Sequence, residues 1–186
     1  MASEVFVSAM MLITAVVASA ILIMAVFPIV WTMVSTFSSA SHDTDTRMRT
    51  DFKIVTYYAS ESNQIAKIWL KNIGSNSIGA SEIVKSDVFF GPRGNFDRST
   101  LNSVLMIPPP LTTPMIPLNP GQWCVALDDT TPNTIWETGE TLEIDVKSSA
   151  ITGSSDPKYI KSGQYVYFQF VLPNGVFRSV EFTASD

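Results

Sequence analysis

From Val5 to Phe37 the chain carries no charged side chain, and Phe6-Val7, Met10 to Ile13, Val16-Val17 and Ile21 to Phe27 are nearly unbroken hydrocarbon. A run that is apolar around its whole circumference reads as a lipid-immersed helix rather than an amphipathic surface one. A bilayer core of about 30 Å takes about 20 residues at 1.5 Å each, so a helix reaching Phe37 outruns the membrane and its last turns project. Pro28 predicts a kink and not a stop, because Ile29 to Met33 stay apolar. Residues 35–51 are rich in Ser, Thr and Asp, which compete with helix by bonding their own backbone, and they read as a polar stalk or a helix end emerging into water.

At Asp51 the period changes from helical to two. Phe52, Ile54, Thr56 and Tyr58 alternate with Lys53, Val55 and Tyr57, and Ala66, Ile68 and Leu70 alternate with Lys67, Trp69 and Lys71. Further strands are expected over Ile83 to Phe90, Gln122 to Leu127, Leu142 to Lys147, Tyr165 to Leu172 and Val176 to Phe182. The last two meet at Asn174-Gly175, a pair suited to a type I′ hairpin. Seven such strands, with no helical periodicity after residue 51, predict an immunoglobulin-like β-sandwich. The fold class is therefore a single N-terminal transmembrane helix (1–40), a polar stalk (41–50) and an all-β domain (51–186).

The segment from Ile107 to Pro120 is too dense in proline for a central strand and favours extended polyproline II. It is either a rigid connection lying over the sandwich or, through its interleaved apolar residues Leu111, Met115 and Ile116, a partner contact surface.

A secretory signal peptide is the competing reading of the first residues. Only Met1-Ala2-Ser3-Glu4 precedes the apolar run, without Lys or Arg, and the run exceeds a signal core in length, so the helix is read as retained. Glu4 in the first turn favours the positive end of the helix dipole. In a packed bundle it would instead pair with the α-amino group of a neighbouring subunit. Glu4, Ser8, Ala15 and Ser19 are the candidate helix-packing residues, the last three being small enough for close approach.

A formal net charge of −5 with no basic cluster argues against nucleic-acid binding. A single cysteine excludes an internal disulfide, and Cys124, between Trp123 and Val125, reads as a small buried hydrophobe. Arg47, Arg49 and Lys53 all follow the helix, so charge counting alone would keep the β-domain in the cytoplasm.

No catalytic constellation is present. The one histidine, His42, lies on the stalk; zinc and blue-copper sites lack ligands, and no glycine-rich phosphate loop follows a strand. Asp97 and Asp128-Asp129 have calcium-type oxygens but read as solvated turn acids. No cofactor is expected. An Asn-x-Ser/Thr sequon is also missing, which weighs against a glycosylated filament subunit.

An uncharged helix with Glu4 at its start, followed directly by a β-sandwich, is the layout of type IV pilin-like proteins. More narrowly, Met1 to Glu4, Leu12 to Ala18, Phe27 to Val30, Ser35 to Ser39 and Asp51 to Val55 resemble the archaeal flagellar protein G family, the archaellum stator subunit. The likeness covers roughly the first sixty residues and is architectural beyond them. It implies a non-enzymatic protein whose helix sits in the cytoplasmic membrane and whose β-domain lies outside, beneath the S-layer, against the charge count. It further implies partners in the flagellar F protein, the S-layer and other archaellum motor components, besides membrane lipid and self-association. A filament-forming pilin or archaellin subunit and a membrane-tethered ligand-binding or hydrolytic sandwich are the alternatives. The first would carry a basic-Gly cleavage site before the apolar run, and the second a polar pocket with converging acids.

Overall fold

The computed structural model describes residues 2–105, 117–128, 133 and 135–186. The chain divides into two compact units, Met1–Asp45 and Thr46–Asp186.

The first unit is helix. Helix α1 runs Ala2–Arg49, passes through Pro28 without a break, and has its apolar span exposed. Its hydroxyls bond back to its own turns: Thr14 donates to the carbonyl of Met10, Ser19 to Val16, Thr32 to Pro28 and Thr36 to Thr32, at 2.8–2.9 Å. A hydroxyl left open in hydrocarbon is costly, and these bonds satisfy the four within the helix itself. The Ser/Thr/Asp-rich residues 41–49 continue as helix rather than loop. Thr44 bonds the Ala40 carbonyl at 2.7 Å, and Arg47 and Arg49 sit where the helix dipole favours cations.

The second unit is β-sheet. Strands β1 (Phe52–Ser60), β2 (Ile65–Asn72), β4 (Asp87–Pro92), β5 (Asp97–Leu105), β6 (Gln122–Asp128), β8 (Thr141–Lys147), β9 (Tyr165–Val171) and β10 (Phe177–Thr183) form one sheet in the order β1-β2-β8-β6-β5-β4-β9-β10. Two-residue strands β3 (Ile78–Gly79) and β7 (Ile135–Trp136) pair separately. The sheet folds into two layers at β5. Asp97 to Ser99 pair antiparallel with β4, whereas Thr100 to Leu105 pair parallel with β6, so one strand serves both layers. The terminal strands come back together where Ser60, at the end of β1, bridges Ser185, two residues past β10. The all-β sandwich expected from the alternating pattern is thus present, curled toward a barrel.

Alternation explains the interior. Ala66, Ile68 and Leu70 of β2, Leu142, Ile144 and Val146 of β8, and Val166, Phe168 and Phe170 of β9 all point inward and are buried. Phe170 packs edge-on against Phe52 and Trp123 at 5.6 and 6.3 Å, and Trp136 of β7 closes one end on Phe52 at 5.8 Å.

Four expectations need correction. A bulge at Val55 shifts the phase of β1, so Tyr57 and Ala59, opposite Ile68 and Ala66, share the core side, while Thr56 and Tyr58 face outward. The strand expected from Ile83 starts only at Asp87, after the single helical turn α2 (Ala80–Ile83), which is also the first helical piece beyond residue 51. Strand β5 was not anticipated, because Asp97-Arg98-Ser99-Thr100 has no apolar alternation. At the β9–β10 hairpin only Gly175 has positive φ (81°); Gly175 N–H bonds the Leu172 carbonyl at 2.9 Å around Pro173-Asn174. Proline fixes a negative φ and suits the first corner of an ordinary turn, so the type I′ geometry gives way to a turn followed by a left-handed glycine.

Candidate functional site

On α1 the four candidate packing residues fall within an arc of about 60° at 100° per residue. Ser19 has already donated its hydroxyl to Val16, and what it offers a neighbour is small size. The surface groove on this helix, lined by Val7, Met10, Met11, Thr14, Ala15 and Ala18, lies beside that face and shares only Ala15 with it. The candidate partner-contact residues Leu111, Met115 and Ile116 lie outside the described residues.

The end of α1 is built into the β unit. Thr50 is buried; its amide bonds the Thr46 carbonyl at 3.0 Å, and its hydroxyl accepts from Asn76 at 3.0 Å and Asn174 at 3.1 Å. The Arg49 carbonyl accepts the Asn76 amide, and the Asp51 carbonyl accepts those of Ile73 and Gly74. Buried Asn72 secures the turn from within, donating to Asn76 and Trp136 carbonyls at 2.9 and 3.0 Å and accepting from Gly74 N–H. Arg178 of β10 reaches across to the Asp51 carboxylate, with its guanidinium over the Phe52 ring. Every polar group here is committed to structure.

A second cluster lies on the outer face of β2, β8 and β6. Lys67 Nζ is 2.8 Å from Glu143 Oε1 and 3.3 Å from Asp145 Oδ2, and Asp145 is fully buried. Cys124 is opposite Asp145 and Ala126 opposite Glu143 on β6, both buried. Burial by itself pulls the Lys67 pKa down. The hydrogen bond that Lys67 donates to Glu143 and the charges of Asp145 and Glu143 outweigh it, and the net direction is up. Burial, then the Asp145 charge, pushes the Cys124 thiol up to about 12, the direction of a buried structural thiol and opposite to that of an activated one. The sequence hinted at this cluster only through outward-phase charges of opposite sign on two strands; that β2 pairs with β8 could not be read from it. The acids converge on an amine, not on an open pocket. The neighbouring cavity, about 340 Å³, is lined by Tyr58, Ile65, Lys67, Pro117, Leu118 and Lys147, and Lys147 Nζ is already bonded to the Leu118 carbonyl at 3.0 Å.

The remaining candidates are ordinary. Asp97 is held by Lys158 and by the Ser149 hydroxyl at 2.8 Å, which lower its pKa. Asp129 lies outside the described residues, and His42 is exposed on α1. Among the described residues no three His, Cys, Asp or Glu side chains gather as metal ligands.

Three comparisons bear on this arrangement. The family model of archaeal-type flagellins matches residues 2–182. An uncharacterized protein of Archaeoglobus fulgidus is 24% identical over 180 residues, covering 95% of each chain. Among solved structures, flagellin FlaB1 of Methanocaldococcus jannaschii superposes with a TM-score of 0.54 at 14% identity, over 73% of this chain and 90% of that one, a likeness of fold. The archaellum periplasmic stator protein FlaG of Sulfolobus acidocaldarius gives 0.47 at 22% identity, over 72% and 99%.

Proposed function

The chain belongs to the archaeal-type flagellin family, and from that premise we propose that it is a membrane-anchored stator subunit of the archaellum. It is an archaellum-related structural protein and not an enzyme. The observation that carries the proposal is the helix: uncharged from Val5 to Phe37, exposed around its circumference, and followed by a β unit. A stator needs a grip on the membrane and a face for its partners, and no reacting group. The resemblance of the first sixty residues to the flagellar protein G family supports this finer reading. In it the β unit lies outside the cytoplasmic membrane beneath the S-layer, held there with the flagellar F protein and other motor components.

One observation favours a second reading as a filament subunit. At 1.5 Å per residue the 48-residue helix is about 72 Å long, and its apolar part exceeds a bilayer, surplus that a bundle of helices inside a filament would bury. Fractionation of native cells separates the two. The stator reading expects the chain in the membrane fraction, with motor components captured on it after detergent solubilisation. Recovery as a major component of sheared filaments overturns that reading in favour of the second.

A further inference from the structure

We propose that Lys67 and Asp145 are the two halves of an intramolecular isopeptide cross-link between β2 and β8, formed by the chain itself with Glu143 as proton carrier. The inference concerns the β unit alone and holds for either role above.

The ladder fixes the partners. Lys67 stands directly opposite Asp145 in the antiparallel register, where facing side chains share one side of the sheet with little freedom to separate. Nζ lies 3.3 Å from Oδ2, so the carboxyl carbon, one C–O bond of about 1.2 Å away, is at most about 4.5 Å from the amine. Glu143, two residues before Asp145, is on the same face and 2.8 Å from the same nitrogen. The Asp145 side chain is 0% exposed and those of Lys67 and Glu143 14% and 16%.

That burial argues for the reaction. Holding an ammonium and two carboxylates out of water carries a desolvation penalty that a pair recovers only with full hydrogen bonding. Condensation removes two of the three charges and leaves a neutral amide beside Glu143, with Cys124 and Ala126 as uncharged neighbours on β6. The low exposure of the three side chains also limits the water that would hydrolyse the amide back to the acid.

The step balances without an oxidant or co-reactant. Glu143 accepts one ammonium proton, which frees the lone pair on Nζ, and passes that proton to an Asp145 carboxyl oxygen. Nζ attacks Cγ and the C–N bond forms. The second proton lost from nitrogen travels through Glu143 to the same oxygen, the C–O bond breaks, and water leaves. Glu143 ends as the carboxylate it began as. The ion pair dominates before reaction, but each molecule has to react only once.

The test is the intact mass of the purified chain in detergent, with fragment mapping. The expected result is a mass lower by one water and a branched peptide joining Lys67 to Asp145. Lys67→Arg keeps the cation without the nucleophile, and Glu143→Gln keeps the size without the proton carrier; both should show the full sequence mass while retaining the β-sheet circular dichroism signal. A wild-type chain of full mass whose Lys67 amine is labelled after denaturation overturns the proposal, as does water loss mapped to another site. A Glu143→Gln chain linked as completely as wild type overturns the proton-carrier assignment.

Discussion

Tyr57 of β1 and Phe182 of β10 stack with ring centroids 4.5 Å apart, although their strands stand at opposite ends of the eight-stranded order. Backbone bonds join them just past the end of β10, at the Ser60–Ser185 bridge, where Ser185 N–H donates to Ala59 and Glu61 N–H to Ser185. Side chains therefore close the middle of the seam. Phe182→Ala should remove that closure and leave a void beneath it, at a loss of about 3 kcal/mol. Denaturant unfolding reads the loss. Hydrogen exchange should show β10 amides opening more than those of central β6, and equal change in both strands would count against a local seam.

Gly74 sits where the chain leaving α1 meets the turn after β2. A Cβ there would stand 2.5 Å from the Asp51 nitrogen and closer still to the Arg49 carbonyl oxygen, and both are backbone atoms that cannot swing aside. Gly74→Ala should therefore cost about 2–3 kcal/mol, the range for forcing extra volume into a packed site. Gly94, with nothing within 4 Å of its Cβ position, is the comparison, although its positive φ adds a smaller penalty of its own. Melting curves of the two variants should differ, with Gly74→Ala the less stable.

These sites show which parts of the molecule were legible in the sequence. The helix was, because an uncharged apolar run has a single physical reading. Strands β2, β6, β8 and β9 were, because Ala66-Ile68-Leu70 and Leu142-Ile144-Val146 alternate against charged residues. Strand β5 was hidden because its first half is polar and works as a corner, paired with β4 before the strand passes over to β6. The bulge at Val55 was hidden for a related reason: one added residue changes no composition yet puts Tyr57 and Ala59, instead of Thr56 and Tyr58, on the side of Ile68 and Ala66. Lys67, Glu143 and Asp145 had the outward phase their charge suggests, but their meeting depends on a pairing 76 residues apart in the chain.

Cys124 gives a prediction at alkaline pH. Its folded-state pKa of about 12 lies above that of a free thiol, so the unfolded chain releases this proton first as pH rises. The contribution is complete below the free-thiol pKa of about 8.5 and is lost progressively above it, toward the folded value. Stability of the wild type should decline over that window more steeply than that of Cys124→Ala. Thiol labelling at pH 8 should be negligible in the native chain and rapid in denaturant; equal rates would show the thiol is accessible.

Asp97 behaves in the opposite sense. The hydrogen bond from Lys158, then that from Ser149, holds its carboxyl below the usual range, so it stabilises the folded chain above the unfolded carboxylate pKa, an effect lost as pH falls through the depressed folded value. The pair is about two-fifths exposed, and solvent screening keeps its contribution below about 1 kcal/mol. Asp97→Asn should lower the unfolding midpoint slightly at pH 7. The difference should vanish under strongly acidic conditions and shrink in high salt. A gap that persists at both would assign the effect to the Ser149 contact instead.

The helix face carries the last prediction. Ser8, Ala15 and Ser19 present small side chains on one side, and close backbone approach between helices in lipid depends on such residues, since lipid and leucine are equally apolar. Ala20 is about 140° around the helix from Ala15 and serves as the matched control. Ala15→Leu should then reduce self-association in detergent, read by cross-linking and light scattering, by about tenfold or 1.4 kcal/mol, whereas Ala20→Leu should leave it unchanged. Ser19→Ala should also be neutral, because its hydroxyl is already given to Val16 and only its size reaches a neighbour. If both leucine variants weaken association equally, no single face is involved; if neither does, association belongs to the β unit and the helix serves only as anchor.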